Sequence, residues 1–127
     1  MLSLWREAET HPTTTDDIDS VGRLIAHDPA ALLVAESEGR LVGSVIAGWD
    51  GWRGSIYRLA VSPSERRRGL GRTLVDEAAR HLGSLGAARL QAVVVSDDRR
   101  AMGFWLESEW DQQHDRTRFV RNQATPA

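Results

Sequence analysis

Apolar and polar positions along the 127-residue chain follow helical spacing in some stretches and strand-like runs in others. Leu2, Leu4 and Trp5 make Met1 to Glu7 a short amphipathic stretch, and a polar turn from Thr10 to Thr15 follows, whose Pro12 stops any helix arriving from upstream. Ile18, Val21, Leu24 and Ile25 then recur at helical spacing up to Asp28-Pro29, with Thr15 or Asp16 placed to cap the helix. Leu32 to Glu36 and Leu41 to Gly48 are β-rich runs joined by Ser37-Glu38-Gly39-Arg40, a hairpin signal. A Gly/Trp-rich loop, Gly48 to Gly54, leads into a third run, Ser55 to Val61. After Ser62-Pro63, Leu70, Leu74, Val75, Ala78, Leu82 and Leu85 share one face of a long helix that Gly86 is placed to close. Arg89 to Val95 is a nearly unbroken β-run, as expected of a strand covered on both faces. Asp97 or Asp98 can cap a last helix carrying Ala101, Met102, Phe104 and Trp105, and Trp110 to Gln113 and Thr117 to Arg121 are further strand candidates. This order predicts a mixed α/β domain with one central sheet, a single domain over residues 1–127.

Composition narrows the function classes. A hydrophobic share of 41% beside 27% charged residues is that of a globular chain and excludes a disordered or low-complexity one. The longest apolar runs, such as Leu41 to Ala47, are too short to span a bilayer, so no membrane is expected. No charged start with an apolar stretch behind it marks a signal peptide, which makes a cytoplasmic location the expectation. Without cysteine there is no disulfide, thiolate nucleophile or cysteine metal site. All sixteen basic residues are Arg, and a formal charge of -2 argues against bulk attraction to nucleic acid. The lack of Lys also excludes a Walker A phosphate loop. His11, His27, His81 and His114 are scattered, with no pair at ligand spacing, so no metal is expected.

The informative stretch is Glu65-Arg66-Arg67-Arg68-Gly69-Leu70-Gly71-Arg72, which joins the third strand to the long helix. The first N–H groups of a helix lack internal partners and carry the positive end of its dipole. Gly69 and Gly71 let a phosphate approach those groups, and Arg66, Arg67, Arg68 and Arg72 add charge-assisted donors. Against this stands the plain alternative of a solvated Arg run with a loop glycine. A Rossmann fingerprint fits poorly, since its third glycine position is Leu74.

These residues resemble a family. Arg66-Arg67-Arg68-Gly69-Leu70-Gly71 fits the Q/R-x-x-G-x-G/A signature of the GNAT superfamily of N-acetyltransferases. Tyr57-Arg58-Leu59-Ala60-Val61-Ser62-Pro63 looks like that family's strand before the loop, and Ala101-x-x-Phe104-Trp105 looks like its A-x-x-F-Y. Gly48-Trp49-Asp50-Gly51-Trp52-Arg53-Gly54 is similar to the G-Y-D-G-H-R-G segment of the small bacterial YpeA-like branch. The resemblance covers roughly Ala8 to Val120 and implies a GNAT-like fold, one mixed, mostly antiparallel sheet flanked by helices. It further implies acetyl-CoA as co-substrate and a small-molecule or peptide amine as acceptor, joined by direct attack in a ternary complex. Carried onto this chain, Leu59, Ala60 and Val61 would meet the pantetheine arm like an added strand. Amides from Arg66, Arg67, Arg68, Gly69, Leu70, Gly71, Arg72 and Thr73 would hold the pyrophosphate, with the Arg side chains near the 3'-phosphate or solvent. The Val61 amide would point at the thioester oxygen.

Departures from the family pattern are chemical. Trp105 stands where the family has its Tyr general acid, and an indole N–H does not give up its proton near neutral pH. Asp98, where Asn is common, can accept from the pantetheine arm or simply cap its helix. Glu109 replaces a common Gly after that helix. For the base, Asp50 and Tyr57 are the candidates, with turn formation and cross-strand packing as their plain alternatives. Trp49 and Trp52 would wall the acceptor pocket or cover the sheet. Only Met1 to Thr10 is available for the family's first strand and helix, so that strand is expected to be missing, leaving an edge that a homodimer partner or upstream residues would cover. These departures leave a second reading open, an acyl-CoA-binding module without turnover.

Overall fold

The computed structural model describes residues 1–8 and 15–123, so the expected turn from Thr10 lies almost wholly outside the described residues. Two compact units emerge, Met1–Val93 and Val94–Ala127. In the first, α1 (Leu2–Glu7) and α2 (Ile18–His27) precede three strands, β1 (Leu32–Ser37), β2 (Arg40–Trp49) and β3 (Gly54–Val61). A 3-10 turn (Pro63–Glu65), α3 (Leu70–Leu85) and β4 (Leu90–Ala92) follow. The four strands form one sheet in the order β1-β2-β3-β4, antiparallel except for the parallel β3–β4 pair. That is the mixed, mostly antiparallel sheet the sequence implies. β1 and β2 meet in a two-residue turn with positive φ at Glu38 and Gly39, the twist that fits a tight hairpin.

Each face of the sheet buries its own layer. Gly43 of β2 backs onto α3, where a Cβ would lie 2.9 Å from Leu74 Cδ1 and 3.1 Å from Leu70 Cδ2. α3 inserts Leu74, Val75, Ala78 and Leu82 into that layer, the face its spacing predicts. On the other face Leu4, Trp5 and Ala8 pack with Ile46 and Ala60, with Val21 and Leu24 of α2 at the margin. The remaining positions of the α2 stripe are poorly covered, Ile18 being 79% exposed.

Several local expectations need correction. The cap of α2 is neither Thr15 nor Asp16 but Asp17, whose carboxylate accepts from Ser20 N at 2.7 Å. Asp16 is engaged elsewhere, by Arg58. β4 ends at Ala92 instead of reaching Val95, because only Gly54, Ser55 and Ile56 of β3 offer it a register. In the second unit Asp98 caps α4 (Arg99–Leu106), accepting from Ala101 N at 3.0 Å. Residues 110–113 and 117–121 form no strand there. Phe119 and Val120 gain no covered face, being 92% and 67% exposed, while Trp110 packs on a neighbouring ring instead of in a sheet.

Gly54 fixes how closely α3 and β4 approach β3. A Cβ there would lie 2.6 Å from Leu90 Cδ2, 2.8 Å from Leu82 Cδ1 and 3.2 Å from Leu82 Cβ. Gly54→Val is therefore expected to overpack the junction and cost about 1–3 kcal/mol, read as a lower denaturant midpoint with an unchanged m-value.

Candidate active site

The site begins with an irregularity in β3. Ser44 stands opposite Ala60 and Ile46 opposite Tyr57, so the single residue Val45 faces two, Arg58 and Leu59. This is a β-bulge, and Arg58 takes the left-handed conformation within it, with φ 52°. Its consequence is a reversal of backbone direction. Gly54 N–H donates to Arg89 O at 3.1 Å, toward β4, whereas Ser62 N–H donates to Val42 O at 2.8 Å, toward β2. An extended strand alternates these directions residue by residue, so without the bulge Gly54 and Ser62 would point the same way. The extra residue shifts the parity. Counted back from Ser62 by the same alternation, Ala60 serves β2, and Val61, with Leu59 inside the bulge, falls with its amide toward the edge along which, among the described residues, β4 no longer pairs.

Polar groups that the bulge displaces are satisfied by side chains. Ser44 Oγ donates to Arg58 O at 3.1 Å and accepts from Trp5 Nε1 at 2.9 Å. The Arg58 guanidinium lies 5.3 Å from the Trp5 ring centroid and forks onto Asp16, with Nε donating to Oδ1 at 2.9 Å and a terminal nitrogen to Oδ2. Both side chains of this ion pair are mostly buried.

Past β3 the chain prepares the start of α3. Ser62, fully buried, donates to Glu7 Oε1 at 2.8 Å, and Arg66 donates to Ala8 O at 2.8 Å, so the loop is tied to the end of α1. Arg67 and Gly69 both have positive φ, 65° and 78°. At Gly69 a Cβ would meet nothing within 4 Å, so the position needs glycine for its backbone angle and stands open. No side chain caps α3, and the amides of Leu70, Gly71 and Arg72 are its first-turn donors. Thr73 N–H and Thr73 Oγ1 both donate to Gly69 O, each at 3.0 Å. Arg67, Arg68 and Arg72 are exposed, Arg68 beside Glu65 at 3.4 Å, whereas Arg66 is the one Arg of the run with its head group on the protein backbone.

The proton-transfer candidates are placed differently from one another. Tyr57 precedes the bulge, 51% exposed, with its ring over Gly48, where a Cβ would lie 3.1 Å from Cε2. Asp50 lies in the turn after β2, and its Oδ1 accepts from Trp52 N and Arg53 N, each at 2.8 Å. The backbone N–H groups of Arg53 and Trp52 hold its carboxyl below the ordinary value, which makes it a weaker base. Asp50 is also four strand positions past Ile46, the residue opposite Tyr57, a separation of about 13 Å along the sheet. Its geometry is that of a turn residue. Trp49 rests on Gly86 at the far end of α3, and Trp52 is exposed with Arg53 stacked at 4.0 Å.

In the second unit Asp98 spends a carboxylate oxygen on its helix cap. Trp105 packs edge-on against Phe104 and Trp110, at centroid distances of 5.2 and 4.9 Å. Among the described residues no three His, Cys, Asp or Glu side chains converge as metal ligands, and no helix is long and apolar enough to cross a membrane. Sequence reading missed Ser44, Trp5 and Asp16. The signal for Ser44 was present, since a lone hydroxyl inside the apolar run from Leu41 to Ala47 must find a partner once buried.

The third strand is thus released by β4 halfway along its length and is followed by a glycine-rich helix start without a side-chain cap. Comparison with known proteins supplies the class. The family model described as acetyltransferase (GNAT) family matches residues 1–108, and the chain belongs to that family. It is similar to an acetyltransferase of Pectobacterium atrosepticum, 32% identical over 111 residues, covering 87% of this chain and 79% of that one. A Yersinia pestis protein described as an uncharacterized N-acetyltransferase is 33% identical over 113 residues, 89% and 80% of the two chains. Among solved structures, an aminoglycoside acetyltransferase from an uncultured soil metagenomic sample superposes with a TM-score of 0.72 at 17% identity, covering 97% of this chain and 86% of its own. A bisubstrate-analogue complex of another aminoglycoside acetyltransferase, AAC(6')-Iy, gives 0.69 at 17%, with coverage of 97% and 92%. These structures share the fold. The protein is an acetyltransferase, and membership implies use of acetyl-CoA.

Two arginines of the loop, Arg66 and Arg68, separate by experiment. Arg66→Ala removes a charged hydrogen bond to Ala8 O and should cost about 1.5–3 kcal/mol, whereas Arg68→Ala, at an exposed pair, should stay within about 0.5 kcal/mol. Urea denaturation of both variants measures the contrast, and equal effects would contradict the anchoring role of Arg66.

Proposed function

We propose that the protein transfers an acetyl group from acetyl-CoA to an amine by direct attack while both are bound. The observation that carries this reading is the register shift of β3, across which Gly54 N–H and Ser62 N–H bond in opposite directions, so that by alternation the Leu59 and Val61 amides fall on an edge that β4 has left. Acetyl-CoA supplies an activated acetyl group on a thiol leaving group. The chain's residues supply the rest. Leu59 and Val61 offer backbone groups to an extended arm as a neighbouring strand would, with Ala60 held on β2 between them. Amides from Arg67 to Arg72 frame a diphosphate at the positive end of α3, the Arg66 and Thr73 N–H groups at the ends of the expected range being bonded to Pro63 O and Gly69 O, and Gly69 and Gly71 keep side chains out of the way. The Val61 N–H is the donor available to an oxygen gaining charge.

Tyr57 is the group we assign to proton handling, because its ring is exposed on the face opposite α3 and adjoins the bulge. Asp50, tied into its turn, and Trp105, an indole packed by its neighbours, are poorly suited to it. Acceptors worth testing include aminoglycosides, after the named activities of two fold neighbours, and peptide amines.

Calorimetric titration with acetyl-CoA and release of free CoA against an amine panel test this reading. Wild type should bind acetyl-CoA and release CoA with at least one amine; binding without release on any amine would leave a binding module instead. Gly71→Val should reduce acetyl-CoA affinity by about tenfold or more while the fold is kept, since a branched side chain intrudes on the first helical turn. Tyr57→Phe should lower kcat by about 10²-fold with acetyl-CoA affinity unchanged, and an unaltered kcat removes Tyr57 from the mechanism.

A further inference from the structure

We propose that Ser44, held in turn by Trp5, is a positioning residue for the donor site: its hydroxyl fixes the β3 bulge and so aims the Leu59 and Val61 amides at the open edge. This rests on the reading of that edge as the acetyl-CoA site. Three observations lead to it. Ser44 is fully buried in the middle of β2, where an alanine would complete an otherwise apolar core. Its hydroxyl is engaged in both senses, donating to Arg58 O at 3.1 Å and accepting from Trp5 Nε1 at 2.9 Å, which fixes the direction of the proton. The carbonyl it meets belongs to the bulge residue itself, whose φ of 52° is unfavourable for any side chain other than glycine.

Such a conformation persists only where its surroundings over-determine it. Here the surroundings act from two sides. Ser44 holds the carbonyl from within the sheet, and the Asp16 carboxylate holds the guanidinium from outside, above the Trp5 ring. Removal of the hydroxyl leaves the part-buried Arg58 carbonyl without the Ser44 donor and weakens the preference for the bulged register. A flat register would return the Leu59 and Val61 amides toward β2 and close the edge. Ser44 touches neither donor nor acceptor in this scheme. It acts through Arg58.

The test pairs a structural with a functional readout. Backbone amide resonances of Leu59 and Val61 are compared in ligand-free wild type, Ser44→Ala and Trp5→Phe, and acetyl-CoA affinity is measured for each by calorimetry. The Ser44 substitution is repeated on an Arg58→Gly background, where glycine adopts the left-handed angle unaided. Ser44→Ala should shift both amides and weaken acetyl-CoA about tenfold, and on the Arg58→Gly background the loss should shrink to less than about threefold. Unshifted amides with wild-type affinity in a folded Ser44→Ala overturn the proposal. So does an equal loss on both backgrounds, which would mark general destabilisation. If Ser44→Ala does not fold, Trp5→Phe decides, with smaller shifts at the same two amides expected and unshifted amides counting against. Wild type that fails to bind acetyl-CoA overturns the donor-site reading, and with it the functional half of this proposal, while the amide shifts still report on the bulge.

Discussion

A strand paired along both edges has no backbone left for a ligand. β3 must stay bonded to β2 along its length, or the sheet falls apart, yet release its other edge halfway. One inserted residue meets both demands. The bulge at Arg58 reverses which amides point outward, and β4, which has a register only with Gly54, Ser55 and Ile56, departs before the reversal. An unpaired backbone group facing water costs little, whereas one facing a dry sheet interior is expensive. The released edge is therefore tolerable, and the displaced carbonyl on the buried side is the group that needs a dedicated donor. Ser44 is that donor.

α1 is short, six residues, and by propensity alone would not persist in water. What holds it is tertiary. Leu4 and Trp5 are buried against Ile46 and Ala60, Trp5 Nε1 reaches Ser44, Glu7 accepts from Ser62, and Ala8 O accepts from Arg66. These contacts fall on both halves of the proposed donor site, the bulge and the loop before α3. The helix thus serves as a brace between them, and the two sets of amides are held in one frame by the same segment.

Much of this architecture was legible in the sequence, for identifiable reasons. The α3 face, the Gly86 terminus and the hairpin at Glu38-Gly39 follow from local rules that packing reinforced. The length of β4 did not, because Val93 and Val95 read as strand residues and only the lack of a partner register beyond Ile56 stops the strand. The α2 cap misled by one residue, since Asp16 and Asp17 are equivalent in local chemistry and differ only in that Arg58, 42 residues away, claims the first. Glycines at the start of α3 pointed to a backbone site. The bulge that completes the proposed donor site left no local mark, as Arg58 is an unusual residue for a left-handed angle and is held there by long-range contacts.

The remaining chemical question is whether a site without the usual tyrosine acid can sustain catalysis. A missing general acid or base is worth about 10²–10⁴-fold, about 3–5 kcal/mol. Holding two reactants in one complex contributes more, about 7–11 kcal/mol for well-oriented pairs. A thiol leaves as a thiolate with a pKa of about 8.5, so its departure depends only weakly on a proton donor. An amine, by contrast, arrives protonated and must lose its proton before it attacks, which places the greater demand on the acceptor side. Beside Tyr57 the Arg58 guanidinium is paired with Asp16, and Asp50 is occupied by its own turn. Rate in such a site would come mainly from alignment, and alignment is what the bulge, its buried hydroxyl and the brace of α1 provide.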